Sequence, residues 1–267
     1  MSSFRVTDGT KFRLADYDTA DKDGFQGGKP AGRAEVAKLT QRLDELQEKF
    51  YADGRHRMLV VLQGMDTAGK GGAIRRVFEG MNPSGVRVAS FKAPTAPELE
   101  RDFLWRIHAQ VPHNGEIVIF DRSHYEDVLI VRVRELIPKG RWKARYDHIR
   151  HFERMLADEG TTIRKFFLHI SPDEQKARLE ARLANPAKHW KFRKGDLDER
   201  VLWDDYQAAY EAAIQHTATE EAPWYVVPAD RKWIRDLGIC RALVETLEGL
   251  DLQYPEPEGD LSGVTVA

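Results

Sequence analysis

Residues 58–72 read Met58-Leu59-Val60-Val61-Leu62-Gln63-Gly64-Met65-Asp66-Thr67-Ala68-Gly69-Lys70-Gly71-Gly72, an apolar run of strand length that passes directly into a glycine-rich turn. The residues that follow, 73–79, have the pattern of a helix. Strand, glycine turn, lysine and helix in this order are the context that a phosphate-binding loop requires. Glycines let backbone N–H groups crowd around a phosphate, and the positive end of the following helix points at the same place. The stretch therefore predicts a phosphate-binding loop; the alternative is an ordinary strand-turn-helix corner that happens to be rich in glycine.

The loop matches the pattern G-x-x-x-x-G-K from Gly64 through Gly69 to Lys70, but it departs from that pattern at the next position. Serine or threonine usually follows the lysine and binds Mg²⁺ through its hydroxyl group, whereas this chain has Gly71. Either no metal is bound or another group binds it, and Asp66 is the obvious substitute because Mg²⁺ prefers carboxylate oxygens. The predicted phosphate-binding residues of the loop are Gly64, Gly69, Lys70, Gly71 and Gly72.

The composition is that of a globular protein and excludes several classes of function. The 267 residues are 42% hydrophobic and 31% charged, with a net charge of −2, so a polyanion site must be a local cluster of Lys and Arg. The single cysteine, Cys240, excludes an internal disulfide and a cysteine-based metal site. The net charge also argues against a nucleic-acid-binding chain, and the single cysteine fits a reducing cytosol. Because the chain lacks a run of about 18 apolar residues and an apolar N-terminal segment, we expect a cytoplasmic protein that does not bind membranes.

Strand-like and helix-like segments alternate along the chain, which predicts an α/β fold with a parallel sheet and helices on both faces. We expect a single domain at 33–250, preceded by an irregular arm at 1–32 and followed by a loose tail at 251–267. The predicted strands are 58–62, 86–91, 116–121, 161–170 and 224–227, and the predicted helices are 33–51, 73–79, 94–107, 125–136, 142–159, 172–183, 197–217 and a last one that ends near residue 250.

A second acidic group ends the third predicted strand, where the chain reads Asp121-Arg122-Ser123-His124-Tyr125-Glu126-Asp127. Ligands of open parallel sheets lie beyond the carboxyl ends of the strands, so we expect Asp121 to lie beside the glycine loop and to share Mg²⁺ with Asp66. Arg122 would then neutralise phosphate charge, because guanidinium matches phosphate geometry. The alternative is that Asp121 caps the next helix and pairs with Arg122 on the surface. Glu126 and Asp127 either face a phosphate acceptor or are acidic residues of a helical first turn.

A basic segment with interleaved aromatic side chains follows the helix after the fourth predicted strand. Such a segment suits a lid that closes over phosphates and excludes water, and we place this lid at about 184–196. The alternative is a solvated, charged helix face, since several acidic residues lie nearby in the sequence. The cationic residues of this segment and of the helix before it form one cluster: Lys176, Arg178, Arg182, Lys188, Lys191, Arg193 and Lys194.

Five motifs of the chain are distinctive when taken together. They are Gly64-Met-Asp-Thr-Ala-Gly-Lys-Gly-Gly72, Asn82-Pro83 with Gly85, Phe120-Asp-Arg-Ser-His-Tyr-Glu-Asp127, Trp190-Lys191-Phe192 and Ala222-Pro223-Trp224. Over about residues 30–250 they resemble those of the polyphosphate kinase 2 family. The resemblance implies a phosphate-loop kinase fold similar to that of thymidylate kinase, with a five-stranded parallel sheet and a helical lid. It also implies reversible, Mg²⁺-dependent transfer of the terminal phosphate of inorganic polyphosphate to a nucleotide, with Mn²⁺ as a substitute metal.

The resemblance also implies a role for individual residues. Asp66 and Asp121 would serve the metal and the phosphates, and Lys70 and Arg122 would contact phosphate. The Ser-His-Tyr-Glu-Asp sequence resembles that of the subgroup that phosphorylates both nucleoside mono- and diphosphates. Glu126 is the candidate residue for accepting both kinds of nucleotide. The expected acceptors are then AMP, ADP and guanine nucleotides, and the expected assembly is a dimer or tetramer. The lid residues expected to bind phosphates are Arg178, Arg182, Lys188 and Lys191.

Two other functions are compatible with the same motifs. An ATP-dependent kinase for a nucleotide or another small molecule would use the same loop and would phosphorylate AMP without polyphosphate. A non-catalytic phosphate sensor or nucleotide switch would bind similar ligands without forming product, and Asp121 and Arg122 would then be structural.

Overall fold

A six-stranded sheet forms the centre of the protein in the computed structural model, which describes residues 4–22, 24–192, 195–262 and 264–266. Its order is β1-β6-β5-β2-β4-β3, and β2 therefore lies between β5 and β4. The strands are β1 (Arg5–Val6), β2 (Arg57–Gln63), β3 (Val86–Ser90), β4 (Ile117–Asp121), β5 (Thr161–His169) and β6 (Trp224–Pro228).

The five predicted strands are all present and all parallel, but the predicted strand count of five is wrong. The additional strand, β1, pairs antiparallel with the outer edge of β6. Two residues are too few to produce the alternation of apolar and polar side chains by which a strand is found in a sequence. Phe4 and Val6 are buried there, so the edge is closed by part of the predicted irregular arm.

The helices pack in two groups, one made of α1, α2 and α10 and the other of α5, α6 and α9. Consecutive residues of β2, β4 and β6 are buried, which requires that both faces of the sheet are covered and confirms the predicted α/β architecture. The helices are α1 (Lys29–Asp53), α2 (Lys70–Val77), α3 (Ala96–Leu99), α4 (Trp105–His108), α5 (Ile130–Val133), α6 (Lys139–Asp158), α7 (Pro172–Leu183), α8 (Gly195–Val201), α9 (Trp203–Thr217) and α10 (Lys232–Glu248).

Three predicted helices are interrupted in the structure. The segment 94–107 forms α3 and α4 with a turn between them, 125–136 forms a 3-10 turn followed by α5, and 197–217 is divided into α8 and α9. Ser123 Oγ accepts from the Tyr125 N–H and caps the start of the 3-10 turn. The break within 94–107 is explained by the Asp102 carboxylate, which accepts from the Leu104 N–H. Such local bonds compete with helical ones.

Both terminal segments contact the domain. In the N-terminal segment Phe12 and Leu14 are buried. In the C-terminal segment Leu252 is buried, and the Gln253 N–H donates to the Asp53 carboxylate. No helix in the described part of the chain is long and apolar enough to span a bilayer.

Parallel pairing of β2 with β4 decides where the chemistry lies. Leu62 is opposite Asp121 in this register, so the glycine loop that follows β2 begins beside the acidic end of β4. Helix α7, which leads to the predicted lid, begins just after the carboxyl end of β5 on the other side of β2. The three segments singled out in the sequence thus meet at one edge of the sheet.

Candidate active site

The glycine loop joins the carboxyl end of β2 to the first residue of α2, Lys70. Gly64 and Gly69 have φ angles of 152° and 107°, which side chains on L-residues disfavour. A Cβ at Gly64 would come within 2.9 Å of the Leu168 carbonyl oxygen, so the close approach of β5 also requires glycine there. The Lys70 ammonium group folds back and donates to the Gly64 carbonyl at 2.6 Å. The loop therefore has the compact form of a phosphate cradle with its lysine at the mouth.

Arg122 connects the loop to the end of β4. Its backbone N–H donates to the Leu62 carbonyl, and its Nη2 lies 3.1 Å from Asp66 Oδ1. Arg122 has a φ of 64°, a left-handed conformation that is uncommon for a residue with a side chain. Conformations of this kind persist where the surroundings enforce them, and they are frequent at functional sites.

Asp121 lies at the last position of β4, partly exposed. Within the described ranges, no group donates a hydrogen bond to its carboxylate. Asp66 is also partly exposed, at 28% of its side chain. Two carboxylates beside a phosphate cradle have the donor chemistry that Mg²⁺ requires.

The metal site suggested by these two residues is an open one. The described residues contain no group of three or more His, Cys, Asp or Glu side chains that could hold a metal ion. Phosphate oxygens and water would have to supply the remaining ligands, which is usual for Mg²⁺ at phosphoryl-transfer sites. Asp66 and Asp121 therefore fit a Mg²⁺ that arrives with its substrate.

Charges at the loop influence one another strongly. Burial and the nearby Arg122 lower the pKa of Lys70. Burial raises the pKa of Glu126, against the opposing effect of Arg122 and Lys70. A bound phosphate would add negative charge here and raise the pKa of Lys70 again. The carboxylates that act on Lys70 are Asp66, Asp121 and Glu126.

The two acidic residues predicted to bind nucleotide are separated. Glu126 belongs to the cluster around Lys70, whereas Asp127 is buried and pairs with Arg145 at 2.8 Å. Burial raises the pKa of Asp127, and Arg145 and Arg106 oppose the rise. Arg106 donates to the Lys92 carbonyl, shortly after β3, so Asp127 lies toward that strand instead of the loop.

The predicted lid contains a 3-10 helix, Pro186–Lys191, and two of its cationic residues, Arg193 and Lys194, lie outside the described residues. Lys188 is exposed, and Lys191 lies 4.8 Å from the centre of the exposed Trp190 ring. Arg182 Nη1 donates to the Lys191 carbonyl at 3.4 Å. The structure thus places Lys188 and Lys191 on an accessible segment beyond α7, and Arg182, in the last turn of α7, contacts that segment.

Arg178 occupies a different environment from the other lid cations. Its Nη1 donates to the carbonyl groups of Thr67 and Ala68, both at 3.0 Å, and its Nε pairs with Glu174 at 2.7 Å. The structure therefore places Arg178 against the outer side of the phosphate loop. Its assignment to phosphate stays a prediction that this geometry does not favour.

Three residues around the loop were not found from the sequence. Gln175 donates to the Asp66 carbonyl at 3.1 Å, and Arg235 Nη1 donates to the Gly69 carbonyl at 3.1 Å. Tyr210 is buried near Arg122 and Glu126. All three belong to helices that are far from the loop in the sequence. The sequence offered only one indication of them, namely a polar residue at a position on the buried side of a helix.

Comparison with known proteins gives consistent matches. A model of the polyphosphate kinase 2 family matches residues 27–255. An AMP/ADP-polyphosphate phosphotransferase of Meiothermus ruber is 61% identical over 97% of this chain and 97% of that protein. An ADP-polyphosphate phosphotransferase of Rhodopseudomonas palustris is 45% identical over 95% of this chain and 91% of that protein. The crystal structure of polyphosphate kinase 2 from Arthrobacter aurescens TC1 superposes with a TM-score of 0.93, at 48% identity, over 97% of this chain and 92% of that one.

Proposed function

The chain belongs to the polyphosphate kinase 2 family, and we propose that it transfers the terminal phosphate of inorganic polyphosphate to AMP and ADP, forming ADP and ATP. Similarity to a full-length AMP/ADP-polyphosphate phosphotransferase supports both acceptors. The observation that carries the proposal is the charge cluster at the glycine loop, where Lys70 and Arg122 lie among the carboxylates of Asp66, Asp121 and Glu126.

Phosphoryl transfer requires little covalent chemistry from the protein, and positioning with charge neutralisation dominates. Backbone N–H groups of the loop and the N-terminus of α2 would hold the oxygens of the transferred phosphate. Lys70 and Arg122 would add full positive charges on either side of it. These groups are fixed before substrate binds, which is the condition under which electrostatic stabilisation of a transition state is most effective.

Asp66 and Asp121 would hold Mg²⁺, or Mn²⁺ in its place, and the metal would neutralise charge on the bound phosphate oxygens. The open Asp121 carboxylate and the partly exposed Asp66 carboxylate support this assignment. Arg122, by pairing with Asp66, fixes the direction of that carboxylate.

The acceptor nucleotide would approach from the side of Glu126. Burial raises the pKa of Glu126, against the opposing charges of Arg122 and Lys70, and this carboxyl group would contact the acceptor. Asp127, paired with Arg145, would contact the acceptor nucleotide from the side of β3. Guanine nucleotides, a dimeric or tetrameric assembly and a cytoplasmic location stay predictions from the sequence.

Polyphosphate would run from the loop along the lid. Lys188 and Lys191 lie on the lid, and Arg182 lies beside it in the last turn of α7. The charge of Lys188 acts on Lys232 at the start of α10. A polyanion longer than a nucleotide triphosphate needs cations beyond the loop, and this segment supplies them.

The donor is tested by supplying polyphosphate as the sole phosphate source. The protein is incubated with Mg²⁺, long-chain polyphosphate and one acceptor at a time from AMP, ADP, GMP and GDP, and products are separated by chromatography. We expect ADP from AMP and ATP from ADP. Equal phosphorylation of AMP by ATP without polyphosphate would instead identify an ATP-dependent kinase, and binding without product would identify a sensor.

A further inference from the structure

Side chains from two helices hold the phosphate loop by its carbonyl oxygens. Gln175 and Arg178 on α7, together with Arg235 on α10, donate to four consecutive carbonyl groups of the loop. The distances are 3.1 Å from Gln175 Nε2 to Asp66 O, 3.0 Å from Arg178 Nη1 to both Thr67 O and Ala68 O, and 3.1 Å from Arg235 Nη1 to Gly69 O.

This arrangement fixes the direction of the N–H groups in the loop. In a trans peptide the C=O and the following N–H point to opposite sides, and no described peptide bond is cis. Carbonyls held toward α7 and α10 therefore turn the next N–H groups the other way. Among the described residues, the N–H groups of Thr67, Gly69 and Lys70 have no acceptor, which leaves them available to an anion.

The guanidinium groups of Arg178 and Arg235 already have protein partners for their hydrogen bonds. Every nitrogen of the Arg178 guanidinium has a partner, since Nε pairs with Glu174 and Nη2 donates to the carbonyls of Ala229 and Asp230. In Arg235, Nε and Nη2 both donate to the Asp236 carboxylate. A Cβ on Gly69 would collide with Arg235 Nη1, so the close approach of this arginine is compatible with glycine at that position.

Gln175 shows that the contact does not depend on charge. It is 1% exposed and neutral, and its Oε1 accepts from Arg200 Nη1 of α8 at 2.8 Å. A buried amide cannot attract a polyanion by charge, yet it holds the loop in the same way as its neighbour Arg178.

We propose that Gln175, Arg178 and Arg235 are positioning residues that preset the N–H groups of the phosphate loop, and that Arg178 acts on the loop instead of on phosphate. The inference rests on the proposed function only for the identity of the bound anion. It deepens that function by separating the cations that position the loop from those that contact substrate.

The test compares Gln175→Met, Arg178→Gln and Arg182→Gln with Gln215→Met as a matched control. Gln215 also donates to a backbone carbonyl, that of Phe12, far along the chain from the loop. Tripolyphosphate binding is measured by calorimetry at several salt concentrations, and hydrogen exchange of peptides covering 64–72 is measured on the free protein.

We expect Gln175→Met to weaken tripolyphosphate binding about tenfold and Arg178→Gln to weaken it more, as lost hydrogen bonds to neutral and charged donors do. The slope of the logarithm of the binding constant against the logarithm of the salt concentration should be unchanged in both variants, because neither substitution removes a cation that contacts phosphate. Arg182→Gln should lower this slope by about one. Loop exchange should accelerate in Gln175→Met and Arg178→Gln, and Gln215→Met should match the wild type in both measurements.

The proposal is overturned if Arg178→Gln lowers the salt slope as Arg182→Gln does, or if loop exchange is unchanged in Gln175→Met. Gln175→Met keeps the test valid should Arg178→Gln fail to fold. Because the exchange measurement uses no substrate, an absence of polyphosphate-dependent ATP formation would reject the proposed function while leaving the positioning result to be judged separately.

Discussion

At the scale of single residues, the site depends on what each side chain already contacts. Lys70 and Arg122 lie close to the carboxylates around the loop, and Asp121 has no hydrogen-bond donor within the described residues. An open carboxylate at the end of a buried strand is only partly explained by stability, because Lys70 and Arg122 act on it by charge without donating a hydrogen bond to it. It is well explained by a ligand that the protein must bind, so Asp121 is the residue whose loss should matter most.

We predict that Asp121→Asn lowers turnover with polyphosphate and ADP by 10²-fold or more, the scale on which enzymes lose a main electrostatic contribution. The change removes one charge and preserves shape. Initial rates of ATP formation across a Mg²⁺ series measure it. Asp147→Asn, which removes an exposed carboxylate paired with Arg150 on α6, is the control and should retain full turnover. Near-normal turnover of Asp121→Asn at saturating Mg²⁺ would contradict the assignment.

His169 makes stability depend on pH. It ends β5, and burial lowers its pKa to about 4, compared with about 6.5 in an unfolded chain. The unfolded state therefore binds more protons between these values, so stability falls as pH drops from about 6.5 to about 4, by about 3 kcal/mol in total. Urea unfolding at several pH values should show this loss reduced in His169→Gln. His151→Gln, at an exposed position, should lose as much unfolding free energy on acidification as the wild type. A plot of unfolding free energy against pH for His169→Gln that runs parallel to that of the wild type would show that His169 is not the cause.

Residues with local signals could be predicted from the sequence, and residues defined by distant contacts could not. The loop pattern singled out Lys70 and Asp66 as candidates, and the strand end singled out Asp121 and Arg122; the structure brings these four residues together. Nothing local distinguishes Arg178, which contacts backbone, from Arg182 on the next turn of the same helix. Arg235 approaches Gly69 from 166 residues away, a distance over which periodicity and spacing carry no information.

At the scale of elements, a buried polar network supports the turn that follows β4. The Lys165 ammonium group of β5 lies 2.6 Å from the Glu153 carboxylate of α6, and both side chains are nearly inaccessible. Glu153 also contacts His124 and Tyr125, at 3.2 Å and 2.8 Å, within the turn that presents Glu126. The network thus links β5 and α6 to the turn that carries Glu126.

Lys165→Met should destabilise the fold by about 3 to 5 kcal/mol, because it leaves the Glu153 carboxylate buried without its ionic partner. Adding Glu153→Leu should restore part of the loss for the same reason. Urea unfolding measures both. Lys176→Met is the matched control, because its pair with Glu180 is exposed and 4.0 Å apart, and such pairs contribute little. If Lys165→Met loses no more unfolding free energy than Lys176→Met, the buried pair is not stabilising.

Helix prediction failed where side chains compete with the helical backbone. Apolar periodicity correctly located the long helices α1, α6 and α10, whose buried faces are extensive. It could not anticipate the break at Asp102, where a side-chain oxygen captures a nearby N–H. Periodicity measures which face is buried and not which hydrogen bond forms.

At the scale of the whole molecule, the order of the strands brings the site together. β2 pairs with both β4 and β5, so the phosphate loop lies between the acidic motif and the helix that leads to the lid. The alternation of strands and helices predicted this parallel sheet. The added strand β1 was not predictable, since its two residues are ordered by the edge of β6 that they cover.

The same architecture makes one arrangement central to the account, namely a metal held by both carboxylates at the mouth of the phosphate cradle. The direct measurement is anomalous diffraction from crystals grown with Mn²⁺ and tripolyphosphate. We predict one Mn²⁺ within bonding distance of carboxylate oxygens of Asp66 and Asp121 and of a phosphate oxygen. A metal bound to the phosphates but to neither carboxylate, or carboxylates directed away from a fully occupied phosphate site, would contradict it.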